Sequence, residues 1–170
     1  MPAVKTVIPF SAQLVQFETT LPPTEVISRL DEKISRERSK ELIPSMAAMK
    51  SKEELEEIVA RITQGGDFMH FLSVRHDNWL KYFNDKVPIV AVYTIANPLV
   101  AEAIMKHDLR SSYNIPPRLL ILEKEDRSGT LLAYHLPSSV MALDPDNQEL
   151  QAAARVLDEK YEKLIIDVTS

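Results

Sequence analysis

The apolar residues in the first half of the chain follow two kinds of spacing. Short apolar runs at 14–17 and 68–74 predict two strands, and residues 4–10 predict a further short strand before them. Between these runs, residues 23–34 repeat apolar side chains at helical spacing, and residues 52–63 do so again after a capping box that begins at serine. The helical stripes comprise Val26, Ile27, Leu30 and Ile34 in the first helix, and Leu55, Ile58, Val59 and Ile62 in the second.

The second half of the chain gives clearer signals. Residues 87–95 are apolar on both faces, which predicts a strand in the interior of a sheet. Asn97, followed by proline, predicts the start of a helix that runs to about His107. Two further apolar runs, 118–124 and 130–136, flank a polar segment with a glycine and predict a hairpin.

The last part of the chain completes the pattern from which the fold class is predicted. Asp146 and Glu149 form a second predicted capping box, which opens a long amphipathic helix. Hairpins and helices are mixed without regular β-α alternation, so the pattern predicts an α+β domain. We expect a largely antiparallel sheet of about four to six strands, with helices packed against it, in a single domain over residues 1–170.

Composition excludes several classes of function. The chain contains no cysteine, which removes thiolate chemistry and cysteine-ligated metals, and its formal net charge of −5 disfavours nucleic acid as a partner. Three glycines in the whole chain leave no glycine-rich loop to hold a phosphate, and we expect no cofactor. No apolar stretch is long enough to span a membrane, and no secretory signal is seen, so a cytoplasmic protein without a membrane partner is expected.

Strands and turn residues follow one another in a recognisable order from Tyr93 to Pro137. A strand leads into Asn97-Pro98 and a helix, His107-Asp108 follows, and Pro116-Pro117 precedes the next apolar strand. The chain then continues through the acidic hairpin and a strand that holds Tyr134. In these features the sequence resembles domain-of-unknown-function family 302.

The resemblance extends over about residues 12–145, with weaker support at Leu14 to Ile34. Two positions depart from the family pattern, since Ala96 stands where glycine is usual and two prolines replace one at Pro116. A helix within about residues 45–65 looks like an insertion. The resemblance implies a small α+β fold, a homodimer, and no established reaction.

Histidine and tyrosine supply the candidate catalytic groups. His70 and His135 each interrupt an apolar strand, and if the two strands lie close together, both rings can enter one cavity near Tyr93. Such a group could transfer protons to and from a small organic substrate. The alternative is that each ring is a hydrogen-bonded core or edge histidine without a function, and this is the more common case.

Four other residues are candidates for ligand binding. Trp79 and His76 form part of an aromatic cluster, for which packing in the core is the expected role. Tyr134 lies near the predicted cavity, and Arg118 belongs to a local basic cluster that could hold a carboxylate. The pairs His76-Asp77 and His107-Asp108 also occur in metal-dependent hydrolases, but the pattern predicts a strand-rich domain and not the helical bundle of those enzymes, so no metal site is expected.

Two functions are left open by these observations. The first is a small-molecule-binding or interaction domain, homodimeric through its sheet or an apolar helix face, with a small apolar or carboxylate ligand. The second is a cofactor-free enzyme in which His70, His135 and Tyr93 transfer protons. Whether the two histidines share one solvent-reachable cavity discriminates between them.

Overall fold

The computed structural model describes residues 2–170 and has the predicted α+β architecture. Five strands form one antiparallel sheet in the order β1-β5-β4-β3-β2. The strands are β1 (Leu14–Thr19), β2 (Met69–Arg75), β3 (Val90–Ala96), β4 (Arg118–Glu123) and β5 (Thr130–His135). The strand predicted over residues 87–95 is therefore interior, as its two apolar faces indicate.

Seven α-helices and two 3-10 turns connect and cover the strands over the described residues. The helices are α1 (Pro23–Lys33), α2 (Leu42–Ala48), α3 (Lys52–Thr63), α4 (Asp77–Leu80), α5 (Pro98–Met105), α6 (Pro137–Met141) and α7 (Gln148–Thr169). The 3-10 turns are Arg38–Glu41 and Leu109–Asn114. Ser51 accepts a hydrogen bond from the backbone of Glu54 at the start of α3, and Asn97 caps α5 in the same way through Leu99.

One face of the sheet carries the main core. Tyr93, Leu119, Leu132 and Tyr134 are buried on this face, where α1 and α7 pack. The predicted apolar stripe of α7 is confirmed, because all six of its members are buried. Burial of a large apolar side chain stabilises a fold by roughly 1.5–3 kcal/mol, so this layer is the principal source of stability. The stripe comprises Leu150, Ala154, Leu157, Tyr161, Leu164 and Ile165.

The opposite face of the sheet, which we call the open face, is apolar at its centre and only partly covered. Side chains alternate between the two faces of a strand, so the neighbours of the core residues point here. Leu72 and Val74 on β2 are exposed, and Val92 and Leu120 on the interior strands are half-buried. Polar residues of β1, including Glu18, border this apolar centre on one side.

A second, smaller core anchors α2 and α3. It joins Leu42 of α2, Val59 and Ile62 of α3, and Met69 at the start of β2. Directly after Met69, the backbone N–H of His70 donates to the carbonyl of Ile34 at 3.0 Å and to the Ser39 hydroxyl at 3.1 Å. These bonds fasten the outer edge of β2 to the segment that leads into α2.

Three local predictions differ from the structure. Residues 4–10 form no strand, because they have no partner strand to complete their backbone hydrogen bonds. The cap of α7 is Asn147, which accepts from the backbone of Leu150 at 3.0 Å, and not Asp146. The expectation of a strand-rich domain is also wrong, since helices occupy more of the chain than strands do.

None of the helices in residues 2–170 is long and apolar enough to cross a lipid bilayer. In the same residues, no three histidine or acidic side chains converge in a way that could hold a metal ion.

Replacing Gly129 with alanine is expected to destabilise the fold strongly. Its φ of +153° is rare for residues with a side chain, and an added Cβ would lie 2.0 Å from the backbone oxygen of Thr19, which cannot move freely. We expect a loss of about 2–4 kcal/mol in the free energy of unfolding, measured by urea denaturation.

Gly65→Ala is the matched control. Gly65 also has a positive φ of +91°, but nothing lies within 4 Å of an added Cβ. Only the conformational cost of about 1–2 kcal/mol is expected there. Equal losses in the two variants would contradict the close approach of Gly129 to β1.

Candidate functional site

The structure brings together two of the three candidate catalytic residues. The rings of His70 on β2 and Tyr93 on β3 are in edge contact, with centroids 5.8 Å apart and planes at 72°. Both side chains therefore lie on the core face, close to the outer edge of the sheet. The edge of one ring contacts the face of the other.

Arg36 and Asp31, which the sequence analysis did not select, complete a polar cluster around this pair. The guanidinium of Arg36 donates to Asp31 Oδ2 at 2.7 Å, to the Tyr93 hydroxyl at 3.2 Å and to the Ser73 hydroxyl at 3.2 Å. Its Cζ lies 5.7 Å from the centre of the Tyr93 ring. We call Asp31, Arg36, His70, Ser73 and Tyr93 the edge cluster.

The end of α1 places Arg36 in this cluster. The backbone N–H of Arg36 donates to the carbonyl of Asp31, and that of Ser35 donates to the carbonyl of Glu32, which together form a Schellman motif. Ser35 takes the left-handed conformation, with φ +52°, where glycine is more usual. The tight turn brings the side chain of Arg36 back beside Asp31.

Burial and charge fix the protonation of the two candidate groups. Burial raises the pKa of Tyr93 to about 12, and the charge of Asp31 acts in the same direction. Burial lowers the pKa of His70, and the positive charge of Arg36 lowers it further, while Asp31 opposes this effect. At neutral pH the cluster therefore holds a neutral phenol beside a neutral imidazole.

Two buried polar atoms of the edge cluster have no hydrogen-bond partner within residues 2–170. They are His70 Nε2 and Asp31 Oδ1. A proton relay requires hydrogen-bonded groups that also reach the substrate, and His70 and Tyr93 are joined by ring packing. The arrangement suits the closure of the sheet edge better than acid–base chemistry.

His135 does not join this cluster. It follows Tyr134, whose ring packs on Tyr161 in the core with centroids 4.8 Å apart, so His135 points to the open face. Three strand spacings, about 14 Å, separate β2 from β5. His70 and His135 thus lie on opposite faces of the sheet and cannot act on one small substrate.

Arg118 and His135 instead line a cavity at one end of the open face. Leu119 pairs with Tyr134 in antiparallel strands, so Arg118, one residue before Leu119, lies opposite His135, one residue after Tyr134. Thr94 pairs with Arg118 on the other side. The cavity has a volume of about 400 Å³. Its other walls include Tyr113, Asn114, Ile115, Pro116, Pro117, Val140 and Met141.

A second cavity adjoins the first and is almost wholly apolar. It has a volume of about 540 Å³ and shares Ile115 and Pro116 with the first cavity. Helix α5 forms one wall, with Lys106 at its end, and Phe71 of β2 belongs to another. The remaining lining residues are Met46, Ala96, Pro98, Ala101, Glu102, Met105 and Leu109.

The remaining candidate residues lie elsewhere. Trp79 is 49% exposed and donates to His76 Nδ1 at 3.3 Å, and its neighbour Phe83 is 83% exposed, so the expectation of core packing for this aromatic cluster is wrong. Burial raises the pKa of Tyr134 to about 12, which agrees with its place in the core. The ligand candidates are therefore spread over three places, and only Arg118 lines a cavity described above.

Comparison with known proteins identifies the family. The family described as Domain of unknown function DUF302 matches residues 47–168. The chain belongs to this family. The match confirms the resemblance seen in the sequence, and it includes α3, the helix that looked like an insertion.

A solved structure of the family supports the fold of this DUF302 chain. It is the crystal structure of an uncharacterized conserved DUF302 protein from Bacillus stearothermophilus, with a TM-score of 0.63 and 14% sequence identity. The alignment covers 91% of this chain and 97% of the Bacillus chain. At this identity the likeness concerns the fold alone. A search of curated proteins found no match.

His70→Asn is expected to reduce the pH dependence of stability of this DUF302 chain between about pH 7.5 and about pH 5.5. The pKa of His70 is lowered in the fold, so below about pH 6.5 the unfolded chain binds a proton that the folded chain does not. The free energy of unfolding therefore falls as the pH decreases, and the variant loses part of this fall. Urea denaturation at each pH measures the slope.

The same substitution at the exposed His135 is the control. That side chain lies on the open face, away from the edge cluster, and we expect the wild-type slope. A wild-type slope in His70→Asn as well would contradict the burial of a neutral imidazole in the edge cluster.

Proposed function

We propose that this DUF302 chain binds a small amphipathic carboxylate in the two adjoining cavities. The observation that carries the proposal is their shared wall, Ile115 and Pro116, which places an apolar cavity directly beside one that contains Arg118. An elongated ligand can bury its apolar part in the first and place its anionic group in the second.

The size and lining of the apolar cavity support this assignment. Ligand pockets typically measure about 300–1,000 Å³ and combine apolar walls with a few polar groups. The cavity of about 540 Å³ lies within this range, and methionine side chains at Met46 and Met105 can adjust to ligands of different shape. Transfer of apolar surface into such a cavity contributes about 25 cal/mol per Å² to binding.

Arg118 is suited to hold the anionic group. Its side chain is exposed and forms no ion pair with any of residues 2–170, so no internal carboxylate competes for it. His135 flanks it and can supply a further hydrogen bond. A guanidinium binds a carboxylate in a bidentate manner, which fixes the orientation of the ligand.

The geometry gives less support to an acid–base enzyme. General acid and base groups must both reach the substrate, whereas His70 and His135 lie on opposite faces of the sheet. His70 and Tyr93 are in contact, but their rings pack edge to face within the edge cluster. We therefore propose binding and not catalysis.

Two variants test the ligand proposal, with decanoate and decan-1-ol as probes in isothermal titration calorimetry. Ala101→Phe fills the apolar cavity and is expected to weaken both probes. Arg118→Gln removes the charge and is expected to weaken decanoate at least about tenfold, since a charge-assisted hydrogen bond is worth about 1.5–3 kcal/mol, while decan-1-ol is unaffected.

Ala152→Phe is the matched control for the filled cavity, because Ala152 is an exposed alanine of α7. It should bind both probes like the wild type. Equal affinity of decanoate for the wild type, Ala101→Phe and Arg118→Gln would contradict the proposed site.

We further propose that the protein is a homodimer through the open face of its sheet. The apolar centre of this face, including Val92 and Leu120, is left partly exposed in the single chain, and a second copy offers the same surface. Contiguous exposed apolar surface of this kind is typical of an interface. Two sheets that pack face to face by twofold symmetry cover both surfaces at once.

Leu120→Glu is expected to convert the dimer to a monomer. Two like charges would face the apolar centre of the interface without partners, while in the monomer the side chain remains partly exposed to water. Sedimentation velocity measures the mass, and circular dichroism confirms that the variant is folded.

Val156→Glu is the control, because Val156 is exposed on α7. A dimer that survives Leu120→Glu but is lost in Val156→Glu would place the interface on the helical side.

A further inference from the structure

The segment that precedes β1 is apolar and yet unpacked. Residues 2–13, which we call the arm, contain Val4, Val7, Ile8 and Phe10, and these side chains are 55–89% exposed. The arm has no regular secondary structure. Four exposed apolar side chains in twelve residues are unfavourable in water, so the arm needs a surface that its own domain does not provide in this structure.

The arm leaves the domain at the margin of the open face. Its last residue is held there by its backbone. The N–H of Gln13 donates to the Ser139 hydroxyl at 3.0 Å, and its backbone carbonyl accepts from the N–H of Leu136 at 2.8 Å. Leu14, the next residue, points to the open face opposite His135. The arm is therefore continuous with the surface that we propose as the dimer interface.

The open face alone is small for a stable dimer. Its five strands of six or seven residues cover an area of about 20 Å by 20 Å, or roughly 400–500 Å². A standard interface buries about 800 Å² on each partner. The face by itself is thus at the small end of such interfaces, and a further apolar surface at its margin would enlarge it.

The arm is long enough to supply this surface. Gln13 is nine residue steps from Val4, and an extended chain of that length reaches about 30 Å. Facing sheets lie about 10 Å apart, so the arm of one copy can cross to the other and continue along it. Pro9 lacks a backbone N–H, so the arm would bind through its side chains and not as a regular added strand.

We propose that the arm is exchanged between two copies of the chain. In the dimer, Val4, Val7, Ile8 and Phe10 of one copy pack on the margin of the open face of the other copy, and the two arms extend the sheet-to-sheet interface. This inference rests on the homodimer proposed above. The same arm could reach its own open face, but in the single chain it stays exposed and does not fold back.

Deletion of residues 2–12 from the otherwise unchanged chain is the first test. The dissociation constant of the dimer, measured by analytical ultracentrifugation, is expected to rise at least about tenfold, because four apolar side chains no longer leave water on association. The double variant Val7→Asp with Ile8→Asp should act in the same direction. Val156→Asp with Ile166→Asp, which places the same charges on exposed positions of α7, should leave the constant unchanged.

A paramagnetic label shows which copy the arm touches. The chain has no cysteine, so Lys5→Cys provides a single site for a nitroxide and leaves the apolar side chains of the arm intact. Labelled chains without ¹⁵N are mixed with unlabelled ¹⁵N chains, so any broadening must come from the other copy. We expect broadening at the amides of open-face residues, such as Leu72, Thr94 and Leu120.

Three other outcomes would overturn arm exchange, and one of them would overturn the homodimer as well. A dimer whose dissociation constant is unchanged by the deletion overturns arm exchange and leaves the sheet-to-sheet dimer intact. Broadening only when label and ¹⁵N are in the same chain shows that the arm folds back on its own domain, which also overturns exchange. A full-length chain that is monomeric overturns both proposals.

Discussion

Packing of α1 and α7 on one face of a five-stranded sheet is the constraint on which the rest of the structure depends. It buries Tyr93, Leu132 and Tyr134, and by the alternation of a strand it turns their neighbours to the other face. That second face has an apolar centre without a helical layer over it. The division also separates His70 from His135 and sets Arg118 beside the cavities. The packing of these two helices on one face of the sheet thus determines which side chains are available for binding and which are structural.

The edge cluster shows how the helical layer ends at β2. An edge strand needs partners for its outward backbone groups, and the segment after α1 supplies two of them at His70. The Arg36–Asp31 ion pair lies over Tyr93 where the helical layer gives way to solvent. Such a pair contributes little by itself, but its hydrogen bonds to Tyr93 and Ser73 fix the position of several side chains at once.

Local signals in the sequence sufficed for the five strands and the longer helices, but not for the short helices or for the site. Ser51 and Asn97 mark helix starts because their side chains cap the adjacent backbone, and the acidic segment before Gly129 marks the hairpin because few other residues accept its geometry. His70 and Tyr93 are in contact because they lie on the neighbouring strands β2 and β3. Arg36 could not be found in this way, because its place depends on a left-handed turn at Ser35. The apolar cavity joins residues from α2, α5 and the turn before β4, which no single periodic pattern reveals.

The position of Arg118 links the two proposed properties of the molecule. Thr94, Arg118 and His135 form one row at the end of the open face, and the same three residues line the cavity that would hold the anionic group. In the proposed dimer this row borders the second copy. A ligand that occupies the cavity would then change the affinity of the two copies for each other. Dimerisation would change the affinity for the ligand by the same factor. In the proposed dimer, ligand binding and assembly would not be independent, because both would use the face that the helices leave uncovered.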